Sequence, residues 1–246
     1  MILNIAAYHF APIDDADALA ASLHSVAEAG CVRGTILVAP EGVNLFLAGG
    51  ETAVDAVLDV LRRDDRFAGL GVKRSWSATQ PFGRLKAKVK PEIITFRRDG
   101  TAPLDARAPA VDPATLARWI AEGHDDAGRR LVLLDTRNRE EFGYGTFENA
   151  LTLPIGNFTE LPEALAPHRE ALADATVVSF CTGGIRCEKA ALWLQADGMR
   201  NVLQLDGGIL AYFEQVGGFG YAGRCFVFDG RVALDPALKP LVDDAA

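Results

Sequence analysis

The segment Val177-Val178-Ser179-Phe180-Cys181-Thr182-Gly183-Gly184-Ile185-Arg186-Cys187-Glu188-Lys189-Ala190 constrains this chain more than any other. It passes from a near-continuous apolar run, through two glycines, into helix-forming sequence. An apolar run of strand length without alternation marks a strand covered on both faces, and such strands lie in parallel sheets. Leu131 to Leu134 and the shorter Val202 to Leu205 have the same character. Helices are expected at about Pro113 to Glu122, Pro162 to Leu172 and Cys187 to Asp197. A parallel α/β sheet follows.

Cys181 sits where that strand ends, and ligands of open α/β sheets bind outside the carboxyl ends of strands. Gly183 and Gly184 let the backbone curl so that successive amides point inward, and a helix N-terminus adds to that field. A thiolate held there has a lowered pKa, and thiolate is the reactive form of cysteine. Cys181 is therefore the expected catalytic residue, inside an anion-binding loop of Thr182, Gly183, Gly184, Ile185 and Arg186. A buried cysteine before an ordinary glycine turn is the alternative, and the succession of strand, glycine pair, arginine and helix weighs against it. Loop length separates two chemistries. Cysteine phosphatases use Cys-x5-Arg to enclose a tetrahedral phosphate, whereas Arg186 stands five positions after Cys181. The shorter loop suits a persulfide or a small anion.

The first hundred residues have another rhythm. Ile2 to Ile13 reads as a strand, and Asp14 and Asp15 offer N-caps for a helix that Gly30 stops. Cys31 to Ala39, a turn at Pro40-Glu41-Gly42 and Val43 to Ala48 read as a hairpin. A second helix follows from Glu51 to Arg63, then an extended region from Leu70 to Phe96. The order β-α-β-β-α-β is that of a ferredoxin-like α+β domain. Residues 99–113 hold three prolines and read as a linker. The expected organisation is a ferredoxin-like, acylphosphatase-like domain over 1–98, a parallel-sheet domain over 114–232 and a tail over 233–246, loose at residues 243–246.

A basic stripe crosses the first domain. Lys73, Arg74, Arg84, Lys86, Lys88, Lys90, Arg97 and Arg98 face one acid, Glu92, a local +7 in a chain of net charge -8. Arg84, Lys86, Lys88 and Lys90 alternate, which places them on one face of a strand with Leu85, Ala87 and Val89 turned to a core. A polyanion such as RNA would use such a row. A lysine-rich edge that discourages aggregation is the alternative. Trp76, Phe82 and Phe96 are core residues or platforms for an exposed base.

Apolar residues are 49% and charged ones 24%, which excludes a mainly disordered chain. No apolar run approaches the roughly 18 residues of a membrane span. The first residues lack a secretory pattern, so a cytoplasmic protein away from membranes is expected. Neither the four cysteines nor His9, His24, His124 and His168 show metal-ligand spacing. No phosphate-binding or dinucleotide glycine fingerprint occurs. No metal and no cofactor are expected.

Cys-Thr-Gly-Gly-Ile-Arg-Cys-Glu-Lys resembles the active loop of rhodanese-like proteins of the tRNA uridine(34) hydroxylase family. Asp135-Thr136-Arg137-Asn138-Arg139-Glu140-Glu141-Phe142, Asn149-Ala150 to Pro154-Ile155, and Gln204-Leu205-Asp206-Gly207-Gly208-Ile209 resemble other rhodanese segments in order. Phe226-Val227-Phe228-Asp229 resembles a family tail motif, and Ala39-Pro40-Glu41-Gly42-Val43-Asn44 and Pro81-Phe82-Gly83-Arg84-Leu85-Lys86 resemble its first domain. The family usually has glycine where Leu45 stands, rhodaneses commonly have a histidine within the stretch Gly145-Thr146-Phe147, and longer members carry a cysteine-rich C-terminal extension. The resemblance implies a persulfide-forming Cys181 and hydroxylation of the wobble uridine of tRNA, with molecular oxygen as co-substrate. Persulfide sulfur transfer from thiosulfate or a protein persulfide to a thiol or cyanide acceptor is the second reading, and a non-catalytic RNA-binding module the third.

Asp135 and Arg137 either organise the cysteine loop or form a surface salt bridge. Cys187 either resolves an oxidised or persulfidated Cys181 or packs in the first turn of its helix. Cys31 and Cys225 are expected in the core.

Overall fold

Strand alternation and two amphipathic helices build the first unit of this computed structural model, which describes residues 1–241. In chain order the elements are β1 (Ile2–Phe10), α1 (Ala16–Ala29), β2 (Arg33–Ala39), β3 (Gly42–Gly49), α2 (Glu51–Arg62), β4 (Gly71–Ser77) and β5 (Leu85–Val89). The sheet order is β4-β1-β3-β2-β5. β3 runs antiparallel to both β1 and β2, and β1 antiparallel to β4. That is the ferredoxin-like arrangement. β5 joins the far edge parallel to β2. Leu19 and Leu23 of α1 and Val54, Val57, Leu58 and Leu61 of α2 pack with Leu3, Ile36, Leu45 and Leu47 of the sheet.

Two local expectations change. β1 ends at Phe10 rather than Ile13. Gly30 caps α1 as expected, but Cys31 is exposed rather than in the core, for it follows in the left-handed turn after the helix (φ 52).

The second unit follows with β6 (Ala110–Val111), α3 (Pro113–Glu122), β7 (Leu131–Asp135), α4 (Arg139–Phe142), β8 (Gly145–Phe147), β9 (Leu151–Thr152), α5 (Leu161–Leu165), α6 (Arg169–Leu172), β10 (Thr176–Phe180), α7 (Ile185–Ala196), β11 (Val202–Leu205), α8 (Gly208–Gln215), β12 (Tyr221–Gly223), β13 (Cys225–Phe226) and β14 (Ala233–Leu234). Its parallel sheet has the order β6-β11-β10-β7-β9. β10, the central strand, is buried along its whole length. Phe147 packs edge-on against Phe180, Tyr212 and Tyr221 on one side of it.

Three boundaries differ from expectation. The proline-rich stretch is not all linker: Ala110 and Val111 form the edge strand β6, because Pro109 and Val111 offer carbonyls to Gln204 and Asp206. The helix expected over Pro162 to Leu172 breaks into α5 and α6, since Pro167 has no N–H to continue the ladder. The compact units are Met1–Thr95 with Phe228–Val232 and residues 240–241, and Phe96–Val227 with Ala233–Lys239. Phe228–Val232 thus belongs to the first unit, where Gly230 N–H donates to Pro81 O at 2.9 Å. Ala233–Leu234, assigned to the tail from sequence, forms β14, paired with β13. Residues 243–246, expected to be loose, lie outside the described residues. Among the described residues no helix is long and apolar enough to cross a membrane.

Candidate active site

β10 ends at Phe180 and α7 begins at Ile185, so Cys181-Thr182-Gly183-Gly184 makes the whole turn between them. Gly184 adopts φ 101, which only glycine takes readily, and its N–H donates to Cys181 Sγ at 3.1 Å. The loop carbonyls are held from the opposite side. The first turn of α8 sends Ile209 N–H to Cys181 O at 2.9 Å and Leu210 N–H to Thr182 O at 3.1 Å. With those carbonyls engaged by α8, amides of the loop and of α7 are left facing the sulfur. Gly208 makes the close approach possible, for it lies at φ 66 and a Cβ there would stand 2.5 Å from Cys181 O and 2.6 Å from Gly184 N.

Cys181 and Cys187 are both fully buried. Burial opposes charge on Cys181, but the Cys187 thiol, the Arg186 charge and the amides of Arg186 and Gly184 outweigh it and bring the Cys181 thiol well down. Cys187 goes the other way, pushed up by burial and by its hydrogen bond with Cys181. The proton of the pair stays on Cys187, and the charge gathers on Cys181. Thr136 Oγ lies 3.7 Å from Cys187 Sγ and completes the packing of that thiol.

Two buried ion pairs frame the loop. Arg186 forks onto Glu141 at 2.5 and 2.7 Å. Arg137 forks onto Asp135, with Nε 2.9 Å from Oδ1 and Nη2 2.7 Å from Oδ2, and Nη2 also reaches Gly145 O at 2.7 Å. Both members of the Asp135–Arg137 pair are wholly buried, so it is no surface salt bridge. It ties the end of β7 to the start of β8. Thr146, within the stretch where rhodaneses commonly have a histidine, donates its hydroxyl to Asp135 at 2.8 Å. Thr182 Oγ reaches Phe226 O, and Cys225 is buried as expected.

Glu141 and Gly208 stood in rhodanese-like segments of the sequence, but their roles at the cysteine loop were not legible there. Glu141 stands where a capping-box glutamate would, and it does accept from Asn138 N–H at 3.0 Å. Its second role depends on an arginine 45 residues away, which no local pattern reveals. Gly208 did leave a signal, because a double glycine follows β11 at the position where a helix begins.

Comparison with known proteins extends this geometry to the whole chain. Residues 2–93 match the UPF0176 acylphosphatase like domain, and residues 112–215 the rhodanese-like domain. A tRNA uridine(34) hydroxylase of Xanthomonas campestris pv. campestris (strain 8004) is 66% identical over 100% of this chain and 97% of its own length. Proteins of the same name from Xanthomonas euvesicatoria pv. vesicatoria (strain 85-10) and Xylella fastidiosa (strain M23) are 65% and 60% identical, each over 99% of this chain and 98% and 95% of their own lengths. This chain belongs to the tRNA uridine(34) hydroxylase family.

In this family member the basic row lies in the first unit. Arg84 and Lys90 flank β5 but keep its ladder going, with Gly34 N–H on Arg84 O and Lys90 N–H on Val38 O. Leu85 and Ala87 pack against the core as expected, while Val89 is 40% exposed and does not. Arg84, Lys88 and Lys90 are exposed and Lys86 half-buried. Arg74 and Arg98 have carboxylate partners in Asp55 and Glu163, whereas none of the four residues of the row is ion-paired among the described residues. Phe96 is core, stacked on Phe158, whereas Trp76 is exposed and Phe82 half-buried.

Proposed function

We propose that the chain hydroxylates uridine 34 of tRNA to 5-hydroxyuridine, with Cys181 as its essential residue and molecular oxygen as co-substrate. Full-length identity of 66% to a tRNA uridine(34) hydroxylase carries this reading. The depressed thiol of Cys181 and the unpaired basic row support it. The balance is one oxygen atom of O₂ into the C5–H bond and the other released as water. That release takes two electrons and two protons from a thiol reductant, two thiols closing to a disulfide. Cys187, buried in the first turn of α7 and electrostatically coupled to Cys181, is the second thiol this reading would use. We place the reaction in the cytoplasm, where tRNA and thiol reductants occur together.

The buried thiolate also favours a second reading, sulfur transfer. Cys181 thiolate would take the outer sulfur of thiosulfate, releasing sulfite, or of a protein persulfide, releasing its thiol. The Cys181 persulfide would then pass that sulfur to a thiol or cyanide and return to thiolate. Nucleoside mass analysis of tRNA decides between the readings. Cells lacking the protein should lose 5-hydroxyuridine and nucleosides built on it, and regain them with the wild-type chain but not with Cys181→Ser. An unchanged nucleoside profile would rule out hydroxylation and leave sulfur transfer or a non-catalytic RNA-binding module.

A further inference from the structure

We propose that a groove in the first unit, walled by Phe82 and Phe228, takes one unstacked base of single-stranded RNA while Arg84 and Lys86 hold the flanking phosphates. This rests on the reading that tRNA is the substrate and specifies where the first unit grips it.

The groove is open to solvent, offers about 480 Å³ and is lined by Thr35, Phe82, Gly83, Arg84, Lys86 and Phe228. That volume falls within the roughly 300–1,000 Å³ of small-ligand sites. Phe228 is 57% exposed. One exposed aromatic means little by itself. Here, however, its backbone is anchored. Gly230 N–H donates to Pro81 O at 2.9 Å, in the loop that carries Phe82. Arg231 reaches Ser75 Oγ at 2.6 Å and forks onto Asp229 at 2.9 and 2.6 Å. Gly230 lies so close to this loop that a Cβ would stand 2.9 Å from Pro81 O. A segment distant in sequence is thereby locked beside the basic strand, and it presents a flat ring there.

Charge complementarity selects the occupant. Arg84 and Lys86 have no carboxylate partner among the described residues, and Lys88 and Lys90 continue the row beyond the groove. A polyanion with flat π faces uses both the cations and the rings, which is how single-stranded nucleic acid is held without sequence readout. An acidic peptide would use the cations alone.

The test measures binding of the full-length chain to a labelled single-stranded oligoribonucleotide across a salt series. Phe228→Ala should weaken binding by about tenfold or more and leave the salt slope unchanged, since no phosphate contact is lost. Phe228→Trp should keep the affinity and show fluorescence quenching on RNA addition beyond that of wild type. The melting temperature of Phe228→Ala should match wild type. If Phe228→Ala binds like wild type while Arg84→Ser/Lys86→Ser binds more weakly, the base cradle is wrong and the tRNA reading stands. If the wild-type chain does not bind RNA at all, both fall. If polyglutamate competes as well as RNA and Phe228→Ala changes neither, the groove is a peptide site and the proposal is overturned.

Discussion

The cysteine loop and the basic strand both concentrate charge, and they treat it in opposite ways. Around Cys181 each guanidinium is buried and answered, Arg186 by Glu141 and Arg137 by Asp135, and the sulfur is aimed at by amides. Along β5 four cations stand in a row with no carboxylate partner among the described residues. A closed set of charges tunes one atom; an open row awaits a polyanion from outside. The largest expected effect lies in the closed set. Cys181→Ser should abolish the formation of 5-hydroxyuridine in complemented cells while the protein still folds, because serine keeps the size and loses the thiolate. Retained activity would remove Cys181 from the mechanism.

Next in size is the asymmetry between the regions in stability. Glu141→Ala leaves Arg186 buried without its partner, and breaking a buried pair costs about 3–5 kcal/mol. Lys88→Ala, on the open row, should change stability by no more than about 0.5 kcal/mol. Urea unfolding of the two variants measures both. A small loss for Glu141→Ala would mean that water reaches Arg186 and that the set is not closed.

This asymmetry also explains what could be read from sequence. The strand end, glycine pair and helix around Cys181 are consecutive, so local pattern sufficed for the loop and for a lowered thiol. The basic row was legible for the same reason, since alternation on one strand is local. Glu141 was not, because its meaning depends on a partner in another element. Cys31 was misplaced because a cysteine rarely takes the left-handed conformation it adopts in the turn after α1. β6 was hidden by its prolines, since an edge strand needs to pair on one side only. Phe228 was visible in a tail motif but not as part of a groove, because only the fold returns that segment to Pro81.

Gly208 tests how tightly the closed set is held. Alanine at φ 66 costs about 1–2 kcal/mol for the left-handed backbone, and its Cβ would collide with Cys181 O and Gly184 N. A displacement of about 1 Å at a reacting atom can cost about 100-fold in rate. Turnover of Gly208→Ala should fall by that order, with a rise in the pKa of Cys181 read from the pH dependence of its alkylation. If the rate falls and that pH profile stays in place, Gly208 supports the fold rather than the sulfur.

A smaller effect should appear as pH dependence. The Cys181 thiol is brought from the ordinary 9.0 down to about 5 in the folded chain. Between those values the unfolded chain holds a proton that the folded chain has released, so stability rises with pH across the window and is lost as pH falls toward 5. Cys187, shifted upward, adds nothing of that sign. The gap in melting temperature between wild type and Cys181→Ala should therefore widen from pH 5.5 to pH 8.5. A constant gap would show that Cys181 is an ordinary buried thiol.

The open row should register least in stability and most in salt dependence. Arg84, Lys86, Lys88 and Lys90 recur every two residues, about 6.6 Å along a strand, close to the spacing of successive phosphates in an extended single strand. Each phosphate neutralised releases condensed counterions, and the slope of log affinity against log salt is about -0.7 per contact for single strands. Changing all four to Ser should flatten that slope by up to about 3 and weaken tRNA binding at low salt. The melting temperature should hold, because these side chains answer no buried group. Unchanged tRNA affinity would mean that the row protects an exposed strand edge from other chains, and the variant should then aggregate more readily. A steep slope that persists without the four residues would instead place the phosphate contacts on basic residues outside the row. Only a flattened slope in a protein that melts like wild type fits a row left open for RNA.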